Sequence, residues 1–367
     1  MSSPPSPMHP PEAGGSWPGL WLVGVIVLGG VLALGLVRYF GGPASGREGE
    51  TLVVYCAHDA VFAQAVFDRF TRETGIGVTP RYDSEATKSL GLTELLIAER
   101  DRPRADVFWN NQWLGTAELK ARGVLTPYKG PSHARLPERW LDPEGCFAGF
   151  GGRLRVYLVH TPSLPANYEA IERLLRADPT RFAVAKPMFG TTLSHLALLW
   201  RAWGGEGVKA WRRGLLERGV LEGGGNAQTK NLVAQGVCHA CWTDTDDAFE
   251  AVDAGRPVAM LPVRVPASPG ASLGEGPVIL IPNTVGMIRG TRRAEAAGRL
   301  IDFLLSEEVE LMLARGPARQ VPLGVVDESK LPAEVLPLRR WAEEAVDLRG
   351  AERARAEVLA WLRAERR

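Results

Sequence analysis

Residues 51–82 read TLVVYCAHDAVFAQAVFDRFTRETGIGVTPRY and alternate between two apolar patterns, which decides the fold class. The short apolar run 51–55 predicts a β-strand, and it is followed by a polar loop. Large apolar residues then recur at helical spacing until Gly75, a residue type that commonly ends helices. Residues 76–82 predict the next strand. A strand, a helix and a strand in this order indicate an α/β fold with a parallel sheet.

The following residues repeat this order and place polar side chains after each strand. A polar turn at residues 83–85, which includes Glu85, is expected to begin the next helix. Residues 105–109 predict a third strand, and Asn110 and Asn111 follow it directly. Because ligands of open parallel sheets bind at the carboxyl ends of the strands, these polar residues are candidates for a binding site.

The middle of the chain continues the alternation. Residues 154–161 and 182–185 predict two strands, and the loop after the second leads into a helix that contains His195. Thr191 and Thr192 lie at the start of this helix. Hydroxyl groups in this position either bind an anion together with the helix N-terminus or simply cap the helix, and the sequence leaves both readings open.

The densest acidic stretch of the folded part follows the apolar strand predicted at residues 237–242. Asp244, Asp246 and Asp247 place three carboxylates within four residues. Asp244 either bonds to the nearby backbone or faces a ligand, whereas the adjacent pair after an apolar strand is hard to explain as solvated surface. Asn226, after a glycine run, is expected to cap another helix and to face the same edge.

The composition excludes some functions and predicts two lobes. The 367 residues include 43 Lys or Arg and 42 Asp or Glu, for a net charge of +1. A nucleic-acid-binding protein would normally carry a basic excess, so no nucleic-acid partner is expected. The chain has four cysteines, too few for a disulfide scaffold at this length. With 45% hydrophobic residues, it is long enough for two cores.

The N-terminal part predicts a membrane anchor. Residues 1–19 contain six prolines and no Lys or Arg, and they are expected to be a disordered tail. Residues 20–37, LWLVGVIVLGGVLALGLV, are 18 uncharged and mostly apolar residues, enough to cross a bilayer. We therefore expect a transmembrane anchor at 20–40 and a linker at 41–48. A cleaved signal that ends near residue 46 is the alternative.

Four stretches of this chain resemble one protein family. They are VVYCAHDAVFAQAVFDRFTRETGIGV (53–78), ADVFWNN (105–111), FGTT (189–192) and ILIPNTVGMIRGTRRAEAAGRLIDFLLSEEVE (279–310). Together they resemble the extracellular solute-binding proteins of ABC transporters, in particular the iron(III)-binding group with the periplasmic binding protein type II fold. The resemblance covers roughly residues 50–315.

The resemblance implies an architecture and a function. The expected fold is α/β, a two-lobed periplasmic-binding-protein-like type II fold with hinge strands, preceded by one transmembrane helix. Lobe 1 is expected to comprise 49–148 and 262–330, lobe 2 to comprise 149–261, and C-terminal helices to occupy 331–367. Such proteins close on a ligand and deliver it to an ABC transporter permease; they are not enzymes.

The resemblance also implies where the folded part lies. Arg38 and Arg47 follow the apolar span and nothing basic precedes it, which by the positive-inside rule alone would place the folded part in the cytoplasm. The resemblance instead implies an extracytoplasmic domain, held at the membrane in the cell envelope through residues 20–40.

The expected ligands depart from those of the family. Iron-binding members usually use a His after the first strand, a carboxylate after the third and two adjacent tyrosines after a later strand. Here Asp59 holds the first position beside His58, Asn111 the second, and Asp246 and Asp247 replace the tyrosine pair. Carboxylates and amides suit hard cations or amine-bearing ligands.

The predicted site therefore combines three metal ligands with further polar residues. The expected metal ligands are Asp59, Asp246 and Asp247. The other expected ligand-binding residues are His58, Glu85, Asn110, Asn111, Thr191, Thr192, Asn226 and Asp244. The cargo is expected to be ferric iron or another hard cation, and the alternative is an organic cation or anion such as a polyamine or a phosphonate. No cofactor is expected.

A second class of function shares part of this pattern. A membrane-anchored glycosyltransferase also has a short tail, one span and a large α/β domain, and Asp244-Thr245-Asp246 matches the DxD motif that holds a metal and a nucleotide diphosphate. No glycine-rich phosphate loop precedes this motif, and three residues are weak evidence. The binding protein is therefore the favoured reading.

Overall fold

The structure is a computed structural model that describes residues 50–83, 90–188 and 190–365. The predicted tail, the anchor at 20–40 and the linker lie outside the described residues, as does Glu85. Among the helices in the described ranges, none is both long enough and apolar enough to cross a bilayer.

The described chain alternates strands and helices through most of its length. The strands are β1 (Thr51–Cys56), β2 (Gly77–Tyr82), β3 (Val107–Asn110), β4 (Leu125–Thr126), β5 (Phe147–His160), β6 (Phe182–Ala185), β7 (Leu221–Gly223), β8 (Ala240–Asp244), β9 (Val258–Pro262) and β10 (Leu280–Ile288). The helices are α1 (Ala60–Thr74), α2 (Leu90–Ala98), α3 (Trp113–Ala121), α4 (Tyr168–Ala177), α5 (Gly190–Glu217), α6 (Asn226–Ala234), α7 (Thr245–Asp253), α8 (Ala294–Leu304), α9 (Glu307–Arg315), α10 (Val335–Glu343) and α11 (Glu352–Ala364).

The opening β-α-β unit has the form that the sequence predicts. β1 pairs in parallel with β2 on one side and with β3 on the other. α1 ends at Gly75, whose φ of 71° lies in the left-handed region that glycine adopts without a steric penalty. Its N–H donates to the carbonyl of Thr71 at 2.9 Å, so the chain turns directly into β2.

β5 joins two parts of the sheet. Up to Leu154 it pairs antiparallel with β10, and from Arg155 onward it pairs with β8 and β9. The hydrogen-bonded order is β2-β1-β3-β10-β5-β8-β6-β7, with β4 beside β10 and β9 beside β5. One strand therefore passes through both parts of the sheet, and the lobe boundaries expected at 148 and 262 stay a prediction.

The strands in the middle of the sheet are more buried than those at its edge. Every residue of β3 and β10 is buried, as expected for strands that are covered on both faces. One core cluster lies around Phe67, Phe70 and Trp109, and another extends from Phe108 to the aromatic residues that follow β5. The polar residues that follow the strands are thus placed by a closely packed scaffold.

The last helix, α11, contacts α3 and α5. In α11, Arg355 is 1% exposed and forms an ion pair with Glu118 of α3. Glu357 of α11 accepts a hydrogen bond of 2.9 Å from Nε1 of Trp200 in α5. α5 itself is broken at Gly204, whose φ of 75° and ψ of 162° are not helical.

Candidate functional site

A polar cleft of about 140 Å³ lies where several strands end. Four strands supply its charged side chains. Asp59 follows β1, Arg153 lies in β5, and Lys186 follows β6. Asp244 ends β8, and Asp246 and Asp247 follow it. The first residues of α5, α6 and α7 also line it. The cleft therefore lies at the carboxyl ends of strands, the place where ligands of open α/β sheets bind.

Asp244, the last residue of β8, forms a buried ion pair with Arg155. The two residues lie directly opposite each other in the register of β5 and β8. Nη1 of Arg155 lies 2.7 Å from Oδ1 of Asp244, and the Asp244 and Arg155 residues are 3% and 0% exposed. Oδ2 of Asp244 accepts hydrogen bonds from Oγ1 of Thr191 at 2.6 Å and from Nδ2 of Asn226 at 2.9 Å. Both carboxylate oxygens are thus committed to the protein.

The protonation of Asp244 follows from these contacts. Burial alone would raise its pKa, but the Arg155 and Arg153 guanidinium groups oppose this and hold the pKa of Asp244 below its usual range. Asp244 is therefore an ionised structural group that connects β5, β8 and the starts of two helices.

Asp246 and Asp247 lie in the first turn of α7 and are only half-buried. Oδ2 of Asp247 accepts a hydrogen bond of 2.6 Å from Oγ1 of Thr243, and Oδ1 of Asp246 accepts one of 3.1 Å from the backbone N–H of Asp247. One carboxylate oxygen from each of Asp244, Asp246 and Asp247 lies within 4.8 Å of the others. Such a set of oxygens has the chemistry that hard cations prefer.

Burial and neighbouring carboxylates raise the pKa values of Asp246 and Asp247. Burial, followed by the nearby charges of Asp246 and Asp244, raises the pKa of Asp247 to about 7. Burial also raises the pKa of Asp246; Arg153 opposes this rise, and Asp244 adds to it. A cation bound between the two carboxylates would replace the protons that these raised pKa values reflect.

Arg153 also lines the cleft, and the sequence analysis does not predict it. It is 4% exposed, and its Nε lies 3.4 Å from Oδ2 of Asp244 and 3.8 Å from Oδ2 of Asp246. Its Nη2 donates to the carbonyl of Asn111 at 2.9 Å, across the cleft from β8. Arg153 and Arg155 are two residues apart in a largely apolar strand, so both side chains lie on the same face of the sheet. Because both guanidinium groups are buried, each requires a carboxylate to balance its charge.

The structure brings most of the predicted site residues to the cleft. Those that line it are Asp59, Asn111, Thr191, Thr192, Asn226, Asp244, Asp246 and Asp247. Asp59 is the residue before α1, and Oδ1 of Asn111 is buried without a hydrogen-bond donor among the described residues. The side chain of Thr192 donates to Oδ1 of Asn226 at 3.2 Å.

Two predicted residues lie behind the cleft wall. His58 is 3% exposed and stacks on Trp109 with ring centroids 5.3 Å apart. Nδ2 of Asn110 donates to Oγ1 of Thr116 at 3.1 Å, and its Oδ1 accepts the backbone N–H of Asn111 at 2.9 Å. Neither side chain lines the cleft, and Asn110 supports Asn111, which does.

The environment of Asp244 bears on the DxD pattern. A DxD motif offers its two carboxylates to a metal and a nucleotide, but here Asp244 uses both oxygens for Arg155, Thr191 and Asn226. Only Asp246 of this motif keeps a half-exposed carboxylate. The arrangement does not match the chemistry of a nucleotide-sugar site.

The fold is similar to that of solved binding proteins. Apo ferric ion-binding protein A of Pasteurella haemolytica is 16% identical, with a TM-score of 0.71, over 86% of this chain and 98% of that one. Iron-bound HitA of Pseudomonas aeruginosa is 18% identical, with a TM-score of 0.67, over 84% and 99%. AfuA of Actinobacillus pleuropneumoniae, a periplasmic binding protein with fructose-6-phosphate bound, is 16% identical, with a TM-score of 0.61, over 81% and 98%.

No protein-family model matches the sequence, and no curated protein matches it either. The likeness to the solved structures is one of fold, since fewer than one residue in five is identical in these three. The chain has an α/β fold similar to that of periplasmic binding proteins, which confirms this part of the expected fold. The lobe bounds and the transmembrane helix stay predictions.

Proposed function

We propose that this chain is the extracytoplasmic substrate-binding protein of an ABC importer and that it carries a hard cation such as ferric iron. It has no catalytic role in this proposal. The observation that supports it most directly is the Asp246 and Asp247 pair, which faces the cleft of a binding-protein fold and has too little positive charge around it. HitA and ferric ion-binding protein A, which share the fold, are iron-binding proteins by name.

The electrostatics favour a cation at one end of the cleft. Asp244 is balanced by Arg155, and Arg153 lies between Asp244 and Asp246. Asp247 has no arginine or lysine within ion-pair distance among the described residues. Burial, followed by the charges of Asp246 and Asp244, raises its pKa, and the more distant Lys230 only partly opposes this rise. A hard cation that coordinates Asp246 and Asp247 would lower both pKa values and add oxygen coordination.

The same cation would bridge residues from different parts of the chain. Asp59 and Asn111 follow strands at one end of the sheet order, whereas Asp246 and Asp247 follow β8. A ligand that contacts both groups favours a closed form. Moving a mostly open population to a mostly closed one takes a preference of about 5.5 kcal/mol for the closed form.

The proposal is tested by thermal unfolding of the full-length chain with a panel of ferric citrate, other hard cations, polyamines, phosphonates and sugars. A specific ligand at 100 times its dissociation constant stabilises the folded state by roughly 2.7 kcal/mol. We expect stabilisation by ferric iron or another hard cation, and its loss in Asp246→Asn and Asp247→Asn.

The matched control is Asp101→Asn, which removes the same charge at a side chain that is 87% exposed and does not line the cleft. This variant should keep the full response. Stabilisation by a neutral sugar or a simple anion that is indifferent to both cleft substitutions would contradict a cationic cargo while leaving a binding protein intact. Hydrolysis of a nucleotide sugar by the purified chain would contradict the binding-protein class itself.

A second cargo, an organic anion, is favoured by a different observation. Lys186 is exposed at the end of β6, and the N-termini of α5 and α6 also border the cleft. Helix N-termini and a lysine attract phosphate groups. AfuA, with fructose-6-phosphate in its structure, shares the fold. Stabilisation by an organophosphate that Lys186→Gln abolishes and Asp247→Asn preserves would favour this cargo over a cation.

The membrane anchor at 20–40 and the ABC transporter permease complete the proposal. An anchored domain would stay near its permease, which raises its effective concentration there. Fractionation of cells that express the full chain should recover it with the membrane, with the folded part accessible to protease from the extracytoplasmic side. A soluble envelope form whose N-terminus begins near residue 47 would indicate cleavage instead.

A further inference from the structure

A second cavity lies in the part of the chain that follows β5. It encloses about 190 Å³ and shares no lining residue with the polar cleft. Its walls carry aromatic side chains, namely Tyr157, His195, Trp203, Trp211 and Trp242, and we refer to it as the aromatic cavity. An engineered cavity of about 150 Å³ in another protein holds a benzene molecule.

The break in α5 forms this cavity. Trp203 precedes Gly204, where the helix is interrupted, and Trp211 lies on the segment that follows. The two rings meet edge to face at 5.3 Å, and Trp211 stacks on Trp242 at 5.7 Å. Nε1 of Trp203 donates to the carbonyl of Pro266 at 2.7 Å and so holds the loop that closes the cavity. The opening is therefore built from fixed aromatic rings.

Polar groups around the aromatic cavity lack acceptors. Trp242 is 8% exposed, and its buried Nε1 lies beside the Tyr157 side chain without a well-aligned acceptor. Nε of Arg264, another lining residue, is also buried without an acceptor. Buried donors normally find a partner, and leaving one unpaired costs free energy. Both groups are donors, so an acceptor oxygen that reached them would remove this cost.

Three arginines line the aromatic cavity, and their positive charge favours an anionic occupant. Arg176 lies 3.8 Å from Glu172, and Arg264 lies 2.6 Å from Glu344, so these arginines have carboxylate partners. Arg218 instead donates to backbone carbonyls and forms no ion pair with a carboxylate in the described ranges. The cavity therefore combines flat apolar walls with one guanidinium group that has no anionic partner.

We propose that the aromatic cavity binds a small planar aromatic carboxylate, with its ring against Trp203, Trp211 and Trp242 and its carboxylate at Arg218. This site is separate from the cargo cleft and does not depend on the proposed cargo. Burial, with a smaller contribution from Arg155, holds the pKa of His195 well below its usual range, so its ring is neutral and adds no competing charge. The loop at residues 268–271 has exposed residues and offers the entrance.

The test is isothermal titration of the full-length chain with indole-3-carboxylate, neutral indole and cationic tryptamine. We expect indole-3-carboxylate to bind more tightly than indole, and tryptamine to bind more weakly than either. Arg218→Gln should remove most of the preference for the carboxylate, up to about fivefold in affinity, the effect of one solvent-exposed charge pair. The matched control is Arg213→Gln near the end of α5, an exposed arginine that does not line the cavity.

A second variant tests the location. Ala271→Trp places a bulky ring at the entrance and is expected to abolish binding of all three probes without changing the thermal unfolding midpoint. Binding that persists unchanged in Ala271→Trp, an Arg218→Gln variant that keeps the full carboxylate preference, or a chain that binds none of the probes would each overturn the proposal. Asp246→Asn and Asp247→Asn should leave probe binding intact, which separates this result from any failure of the cargo proposal.

Discussion

Asp244 and the Asp246–Asp247 pair lie within four residues of one another but in opposite environments. Asp244 is buried, paired with Arg155, and has a lowered pKa. The adjacent pair is half-buried, faces the cleft, and has raised pKa values. The difference shows that the partners of a carboxylate, rather than its presence in an acidic run, decide whether it supports the fold or faces a ligand.

Substitutions at Asp244 and at Asp247 are expected to change the free energy of unfolding in opposite directions. Removing one member of a buried ion pair leaves the other charged and desolvated. Removing one of two neighbouring carboxylates instead removes the repulsion between them. The same chemical change is therefore expected to lower stability at Asp244 and to raise it at Asp247.

The largest effect is expected at Asp244. Asp244→Ala should lower the free energy of unfolding by about 3–5 kcal/mol, because Arg155 stays buried without its partner. Chemical denaturation of the full-length chain measures this. The double variant Asp244→Leu with Arg155→Met removes both charges and should lose clearly less. A single variant that loses under about 1 kcal/mol would show that the pair is not structural.

The next effect concerns ligand affinity. Asp247→Asn should weaken ferric iron binding by about tenfold or more, which corresponds to about 1.4 kcal/mol of binding free energy. Equilibrium dialysis against ferric citrate measures the change, and Asp101→Asn is the control. Equal affinities in wild type and Asp247→Asn would remove this carboxylate from the cargo site.

A smaller effect is expected on the stability of the ligand-free protein. The folded-state pKa of Asp247, about 7, lies above the value of an unfolded chain, so the folded state binds the extra proton more tightly. The stability from this proton is present below about pH 4 and is lost as the pH rises through about 7.

Asp247→Asn should therefore raise the free energy of unfolding at pH 8 by about 1–2 kcal/mol, a value reduced for the partial exposure of this side chain, and change it little at pH 4. Denaturation at the two pH values measures this. A loss of stability at pH 8 would mean that Asp247 has a positive partner and belongs with Asp244.

The sequence alone predicted the strand-helix alternation and most of the cleft residues, because apolar periodicity and polar strand ends reflect local chemistry. Residues 182–185 match β6 at both ends, and Asp59, Asn111 and Asp247 line one cleft. The roles of these residues depend on contacts between distant strands. Asp244 faces Arg155, which is 89 residues away in sequence, and no local pattern around Asp244 shows that pairing.

In the proposed cargo site, Asp246 and Asp247, and not Asp244, hold the cation. Titration of the full-length chain with Tb³⁺ at pH 5.5 and pH 8 tests it most directly, because Asp247, with a pKa of about 7, must lose its proton to coordinate the ion. We expect an affinity about tenfold or more higher at pH 8, and loss of this pH dependence in Asp247→Asn. A pH-independent affinity, or the same pH dependence in Asp247→Asn, would contradict it.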